Sequence, residues 1–209
     1  MSVSLLLRAR RAEPPIAPRL NAGAAPLDRD LDAAADELLL GWAAEGDRRA
    51  FDRLALRHLP RLFRVACRIT GDSGAAEEVA QEAMLRAWQA AARFDPARAS
   101  VSTWLHRIAT NIAIDRRRAW RPAVAPDQAL RDPGPDPEQR LSDRQQRLAL
   151  AEAVAELPAR QRAALALFYD NEMPGAEAAA ALSVSTRALE GLLRRARRFL
   201  AARLGGEGG

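Results

Sequence analysis

Between residues 122 and 137 the chain sets Pro122, Pro126, Pro133, Gly134, Pro135 and Pro137 in close succession. Each proline fixes φ, removes a backbone donor and pushes the preceding residue into extended geometry. No helix or sheet runs through such a stretch, so whatever folds on either side folds as its own unit. A linker over 121–140 is expected, acting as a Pro-rich tether. A second group, Pro14, Pro15, Pro18 and Pro26, lies among small and charged residues without a sustained period. Residues 1–30 therefore read as a disordered N-terminal extension, and the glycine-rich 205–209 as a flexible tail. Two compact segments remain, 31–120 and 141–204.

Both segments carry helical periodicity. Aromatic residues make up 5% of the 209-residue chain, and its Ala-rich texture favours helices over a β-sandwich. In the first segment, 36–44 and 47–58 read as two short helices, each opened by an aspartate able to cap free amides. Leu38, Leu39, Trp42, Phe51, Leu54 and Leu56 supply their apolar faces. A third helix carries Leu59, Leu62, Phe63, Ala66, Cys67 and Ile69 and stops at Gly71. Asp72 or Ser73 caps a fourth, with Ala76, Val79, Ala80, Ala83, Met84, Ala87 and Trp88 at i, i+3, i+4 and i+7. Its opposite face is Glu77, Glu78, Gln81, Glu82 and Arg86. A fifth helix buries Trp104, Leu105, Ile108, Ala109 and Ile112 and ends on Asp115, Arg116, Arg117 and Arg118.

The second segment opens on an amphipathic helix with Leu141, Leu148, Val154 and Leu157, broken at Pro158. A helix over 159–169 follows, then 176–182, a tight turn at Ser183, Val184 and Ser185, and a long basic helix over 186–204. Helix, short turn and basic helix form a helix-turn-helix pattern. In the last helix Leu189, Leu193, Ala196 and Leu200 mark the buried side, and Arg187, Gly191, Arg194, Arg195 and Arg198 lie away from it. The fold expected is all-α: two small helical domains joined by a Pro-rich linker.

The chemistry these residues exclude is as informative. No nucleophile with a base, paired carboxylates in a cleft, metal cluster or glycine-rich phosphate cradle occurs at recognisable spacing, so neither an enzyme nor a cofactor or metal is expected. His58 and His106 stand alone and read as satisfied surface or half-buried side chains. Cys67, the single cysteine, cannot close an intramolecular disulfide and lies among apolar neighbours, which suits a packing thiol in a reducing compartment. No apolar run approaches the roughly 18 residues of a membrane span, so a cytoplasmic protein without stable membrane insertion is expected.

What remains is charge. All 32 cationic side chains are arginine, and the formal net charge is +5. Arginine presents a planar fork suited to phosphates and guanine edges, although a GC-rich genome produces the same usage. The arginines at 107, 116–118 and 121 taken alone fit an ordinary helix C-terminus. A second basic helix with helix-turn-helix spacing tips the balance to DNA, because clustered arginines neutralising phosphates supply the main affinity for it. Phe94 and Trp104 could stack on an unpaired base, but Trp104 lies on the Leu105 and Ile108 stripe and reads as core.

The stretch Gly71-Asp72, then Ala75-Ala76-Glu77-Glu78-Val79-Ala80-Gln81-Glu82-Ala83-Met84-Leu85-Arg86-Ala87-Trp88, resembles region 2 of the sigma-70 family of bacterial transcription initiation factors. Thr103-Trp104-Leu105-His106-Arg107-Ile108-Ala109-Thr110-Asn111 followed by Asp115-Arg116-Arg117-Arg118 continues the likeness. Leu157-Pro158-Ala159-Arg160-Gln161-Arg162 and the run 188–197 resemble region 4. Two regions and a short linker make the chain similar to the extracytoplasmic-function (ECF) subfamily.

The resemblance implies that Glu78, Gln81, Glu82 and Leu85 dock on the β′ clamp helices of core RNA polymerase. It implies that Phe94, Asp95, Arg98, Asn111, Arg116, Arg117 and Arg118 contact the melted −10 element, with the loop 94–100 holding a flipped base. Ser185, Thr186, Arg187, Glu190, Arg194, Arg195 and Arg198 would meet the −35 major groove. Implied partners are core polymerase through β′ and the β flap, promoter DNA, and an anti-sigma factor in a stress response. The recognition helix departs from the usual Gly-Thr-Val-Lys-Ser start, reading Thr186-Arg187-Ala188-Leu189. Pro174-Gly175-Ala176-Glu177 likewise replaces the usual entry to the preceding helix, where proline can still start one. The alternatives are a sigma-like decoy that sequesters an anti-sigma factor without binding DNA, and a helix-turn-helix repressor. Both basic helices are retained, which argues against the decoy. The repressor leaves residues 72–118 without a role.

Overall fold

The computed structural model describes residues 29–119 and 137–205. The expectations for the N-terminal extension, most of the tether and the last residues fall on 1–28, 120–136 and 206–209, outside the described residues. The described residues form α1 Asp36–Ala44, α2 Arg48–Thr70, α3 Ser73–Ala90 with a 3₁₀ turn Ala91–Arg93, and α4 Val101–Ala119. Then come α5 Pro137–Glu156, α6 Ala159–Leu165 running into a π turn Ala166–Asp170, α7 Gly175–Ala181 and α8 Thr186–Gly205. No strand occurs among the described residues, in keeping with the all-α expectation. α5 begins at Pro137, ahead of the second unit's expected start at 141; proline suits the first turn of a helix, where its missing donor is not needed.

The first unit packs α2, α3 and α4 side by side with α1 across them. Leu54, Leu62, Val65 and Ile69 of α2, Ala76, Val79, Ala83 and Ala87 of α3, and Val101, Leu105, Ala109 and Ala113 of α4 are all fully buried. The alanines matter because small side chains at the contact let the helix axes approach at the short end of the usual range. Each buried leucine or isoleucine contributes about 1.5–3 kcal/mol.

Two helices were expected over 47–71, and the structure holds one. α2 runs 23 residues with Pro60 inside it. Proline deletes one ladder hydrogen bond, to the Leu56 carbonyl, but Leu56 is 69% exposed and Pro60 is also exposed, so water can solvate the freed carbonyl. The apolar stripe on either side keeps both halves against α3 and α4. Leu38, Leu56 and Leu59, expected on apolar faces, are exposed, as is Leu148 of α5. Asp47 caps α2 through the Ala50 amide at 3.2 Å, and Asp72 caps α3 through Ala75 at 2.6 Å. Asp36 does not cap α1: the N-cap is Ala35, and the Asp36 carboxylate turns to Arg57 at 2.8 Å and His58 at 2.6 Å. Gly71 ends α2 at φ 77°, its N–H donating to the Cys67 carbonyl at 2.8 Å. That left-handed cap is where a side chain would be strained.

In the second unit α6 and α7 pack on α8, whose Leu189, Leu193 and Ala196 are buried. Ser183 takes φ 54° in the turn between α7 and α8, and Ser185 caps α8 by accepting from the Ala188 amide at 3.2 Å.

The sequence left the relative placement of the units open; in the structure they are packed together. α4 lies against α6 and α7, and α2 against α6 and the π turn, giving one continuous apolar core from Leu39 to Ala196. Arg68 clamps Asp170 with two bonds of 2.8 and 3.1 Å, and the Thr103 hydroxyl donates to Glu177 at 2.9 Å.

Candidate functional site

Three surfaces carry the side chains singled out above. On α3, Glu78, Gln81 and Leu85 are exposed and Glu82 is half-buried. They share a face because 78, 81/82 and 85 are one helical turn apart. Gln81 donates to Glu77 at 3.3 Å and Arg86 pairs with Glu82 at 2.6 Å. An exposed leucine among carboxylates on a helix whose other side is core gives a face with both charge and an apolar anchor.

The carboxylates also meet the next surface. Arg116 of α4 reaches α3 and bridges Glu78 and Glu82, the latter at 3.2 Å. Its hydrogen bond to Glu78, outweighing partial burial, holds the guanidinium more firmly charged than usual. The sequence assigned these groups to two different partners, whereas the fold brings them together. Arg117 is half-buried, 3.4 Å from the Thr70 carbonyl at the end of α2. Arg118 and Asn111 are exposed.

Along α4, residues 107, 111, 115 and 118 repeat at i+4 and i+3 and are all exposed. Arg107, which was not among the candidate site residues, therefore stands on the same stripe as Asn111 and Arg118. The signal in the sequence was the i+4 spacing to Asn111. The loop before α4 is shaped by Asp95, whose side chain accepts from the Ala97 amide at 3.0 Å while its carbonyl accepts from Arg98 at 3.1 Å. Asp95 and Arg98 are exposed. Phe94 and Trp104 are half-buried, with ring centroids 5.3 Å apart at 53°, so both rings pack together at the loop's base. From the start of α4 to Arg118 the helix rises about 26 Å, the rise of seven or eight stacked nucleotides at about 3.4 Å each and of fewer in an unstacked strand. A loop at one end and cations at the other thus form a track long enough for a short single strand.

The third surface is α8. Ser185, Thr186, Arg187, Glu190, Arg194, Arg195 and Arg198 are all exposed. Arg187, Glu190, Arg194 and Arg198 form one stripe, and the Arg195 guanidinium folds over Gly191, 3.4 Å from where a Cβ would stand. A straight helix carrying arginines from its first turn, presented beyond a tight turn, has the shape and charge for a major groove.

No three His, Cys, Asp or Glu side chains converge on a metal site among the described residues, and none of their helices is long and apolar enough to cross a membrane. Burial first, and Asp72 second, push the Cys67 thiol up in pKa, which suits packing rather than reactivity. The histidines depart from expectation: His58 and His106 are both buried, at 3% and 1% exposure.

Comparison with known proteins gives the family. Residues 54–121 match the family Sigma-70 region 2, and residues 147–200 match Sigma-70, region 4. The chain is 36% identical over 172 residues to the ECF RNA polymerase sigma factor SigM of Mycobacterium tuberculosis (strain ATCC 25618 / H37Rv), covering 81% of this chain and 85% of that one. It is 35% identical over 138 residues to the ECF RNA polymerase sigma factor RpoE of Cereibacter sphaeroides, covering 64% and 75%. Among solved structures, CnrH in complex with the cytosolic domain of CnrY superposes with a TM-score of 0.64 at 30% identity, over 84% of this chain and 100% of that one. The sigma factor RpoE in complex with the anti-sigma factor NepR from Bartonella quintana shares the fold, with a TM-score of 0.58 at 22% identity over 75% and 98%.

Proposed function

From the premise that this chain belongs to the sigma-70 family, among its ECF RNA polymerase sigma factors, we propose that it binds core RNA polymerase, reads −10 and −35 promoter elements and starts transcription under anti-sigma control. The observation that carries the reading is the order of two matched regions, each presenting its own cationic helix face, α4 in the first and α8 in the second. Sigma factors are transcription regulators, and strand opening by this one draws on binding energy alone. A few kcal/mol of unstacking is offset when unpaired bases are held.

In this reading Glu78, Gln81, Glu82 and Leu85 meet the β′ clamp helices, whose cations would share the carboxylates with Arg116, and the β flap contacts the second unit. Phe94, Asp95, Arg98, Asn111, Arg117 and Arg118, with Arg107 added, meet the melted −10 strand, and Arg116 joins them when its carboxylates are engaged elsewhere. Ser185, Thr186, Arg187, Glu190, Arg194, Arg195 and Arg198 meet the −35 duplex. The working compartment is the cytoplasm, where core polymerase and promoter meet. A decoy would have no use for the two exposed arginine stripes.

Run-off transcription with purified core polymerase tests this. A promoter-specific transcript that requires the chain is expected; core binding without any transcript from a promoter library would favour the decoy.

A further inference from the structure

The seam between the two units holds a titratable group that the proposed function does not use. His106 of α4 is 1% exposed. Its Nδ1 lies 2.8 Å from the Ser102 carbonyl, so the ring proton sits on Nδ1 and donates there. Nε2 is then a bare acceptor, buried and without a partner among the described residues. One turn earlier on the same helix, Thr103 donates to Glu177 of α7, which places this stretch of α4 under the second unit. The charges acting on His106 are His58 and Arg61 from α2 and Glu177 from α7. α3 offers α4 the carboxylates of Glu78 and Glu82, which Arg116 takes. α6 contributes Arg162, a buried cation whose Nη1 lies 3.6 Å from a Cβ built on Gly71.

We infer that His106 makes the packed arrangement acid-labile: the units stay together while its imidazole is neutral and part when Nε2 takes up a proton. A proton on Nε2 in the closed seam would be a buried charge without an acceptor, beside two groups of like sign. Burial above all, then His58 and Arg61, lower its pKa against the opposing Ser102 carbonyl and Glu177. Lifting α7 from α4 hydrates this face and returns the ring towards its ordinary range. The closed state therefore binds fewer protons than the open one. Closure is favoured above about pH 6.5 and weakens as pH falls below it, by up to about tenfold in the open-to-closed ratio per pH unit. His58 is buried too, but its Nε2 lies 2.6 Å from the carboxylate of Asp36 on α1, a contact made within the first unit.

The consequence for transcription rests on the sigma-factor reading. Elements at −10 and −35 are centred about 25 base pairs apart, or about 85 Å at about 3.4 Å per step. A compact body of about 160 residues has a radius of gyration near 15 Å and a diameter of about 40 Å. The packed chain cannot reach both elements, so parting precedes promoter reading and acid would favour it.

Small-angle scattering of the full chain between pH 7.5 and 5.5 tests the device. The expected result is a compact particle at pH 7.5 that expands below pH 6.5, with His106→Gln compact throughout and Glu177→Gln still responding to acid. An unchanged radius in the parent chain, or expansion of His106→Gln identical to the parent, overturns the inference. Should His106→Gln not fold, histidine ring NMR on the parent decides: the expansion must track titration of His106, and tracking of His58 instead overturns it. Acid expansion in a chain that starts no transcript would sink the sigma-factor reading and leave the acid switch standing.

Discussion

Arg116 Nη2 lies 3.2 Å from Glu82 Oε2, so the last turn of α4 is tied to the middle of α3. Glu78 closes the bridge from the other side. Exposed ion pairs of this kind contribute about 0–1 kcal/mol, too little to hold the helices together but enough to bias where one guanidinium points. Replacing Arg116, Arg117 and Arg118 together by alanine is therefore expected to leave the fold and core-polymerase binding nearly intact and to impair open-complex formation. Permanganate footprinting of the melted region and a core-binding titration separate the two. Loss of core binding would show that the α3 face depends on this bridge.

Seven candidate positions, Ser185 and six along α8, are exposed, and among the described residues the α8 arginine with a carboxylate partner is Arg203 near the far end, paired with Glu156 at 3.3 Å. Arginines held ready for phosphate release counterions on binding, each adding about 0.9 to the slope of log K against log salt. The double substitution Arg194→Ala and Arg195→Ala should weaken −35 duplex binding and flatten that slope by up to about two. An unaltered slope in a filter-binding series across salt would move both residues off the phosphates.

Much of this architecture was legible because each signal was local. Asp72 followed by an i, i+3, i+4 apolar stripe marked α3, and Gly71 marked the end of α2. What escaped detection was set by tertiary packing. Pro60 reads as a helix break, yet α3 and α4 grip the stripe on both sides of it. Asp36 reads as a cap, yet Arg57 and His58 come from 21 and 22 residues away to claim it. The Arg116 bridge joins residues 34 and 38 apart, and no helix-face argument reaches across two helices. His106 read as a surface or half-buried side chain because its burial comes from tertiary packing that no helix-face pattern shows.

Asp36 gives a pH dependence distinct from that of His106. Burial pushes its carboxyl up, but hydrogen bonds from Arg57 and His58 outweigh that and leave it below the usual carboxylate range. A carboxyl lowered on folding adds stability that is fully present above its unfolded value of about 3.9 and lost as pH falls through the lower folded value. Asp36→Asn is expected to cost about 1–2 kcal/mol at pH 7, since Arg57 and His58 lose a charged acceptor, and to flatten the acid limb of stability below about pH 4. Urea midpoints at pH 7 and pH 3 measure it; equal loss at both values would assign the effect to shape alone.

Arg162 poses the opposite case, a buried cation with no carboxylate partner among the described residues. It is 1% exposed, its Nε has no partner, and burial followed by repulsion from Arg117 pulls its pKa down to about 10. Its Nη1 stands near Gly71 at the end of α2, where the negative end of the helix dipole offsets part of the cost. A dipole supplies at most about 2 kcal/mol, while desolvating an ion costs several. Arg162→Met, which keeps an apolar stem and removes the buried charge, is therefore expected to stabilise the chain by about 1 kcal/mol and raise its urea midpoint at an unchanged slope. Because α6 packs on α2 and α4, the gain should also favour the packed arrangement where acid opens the parent chain, with the acid response of His106 preserved. A loss of stability in Arg162→Met would mean that the guanidinium makes contacts worth more than its desolvation.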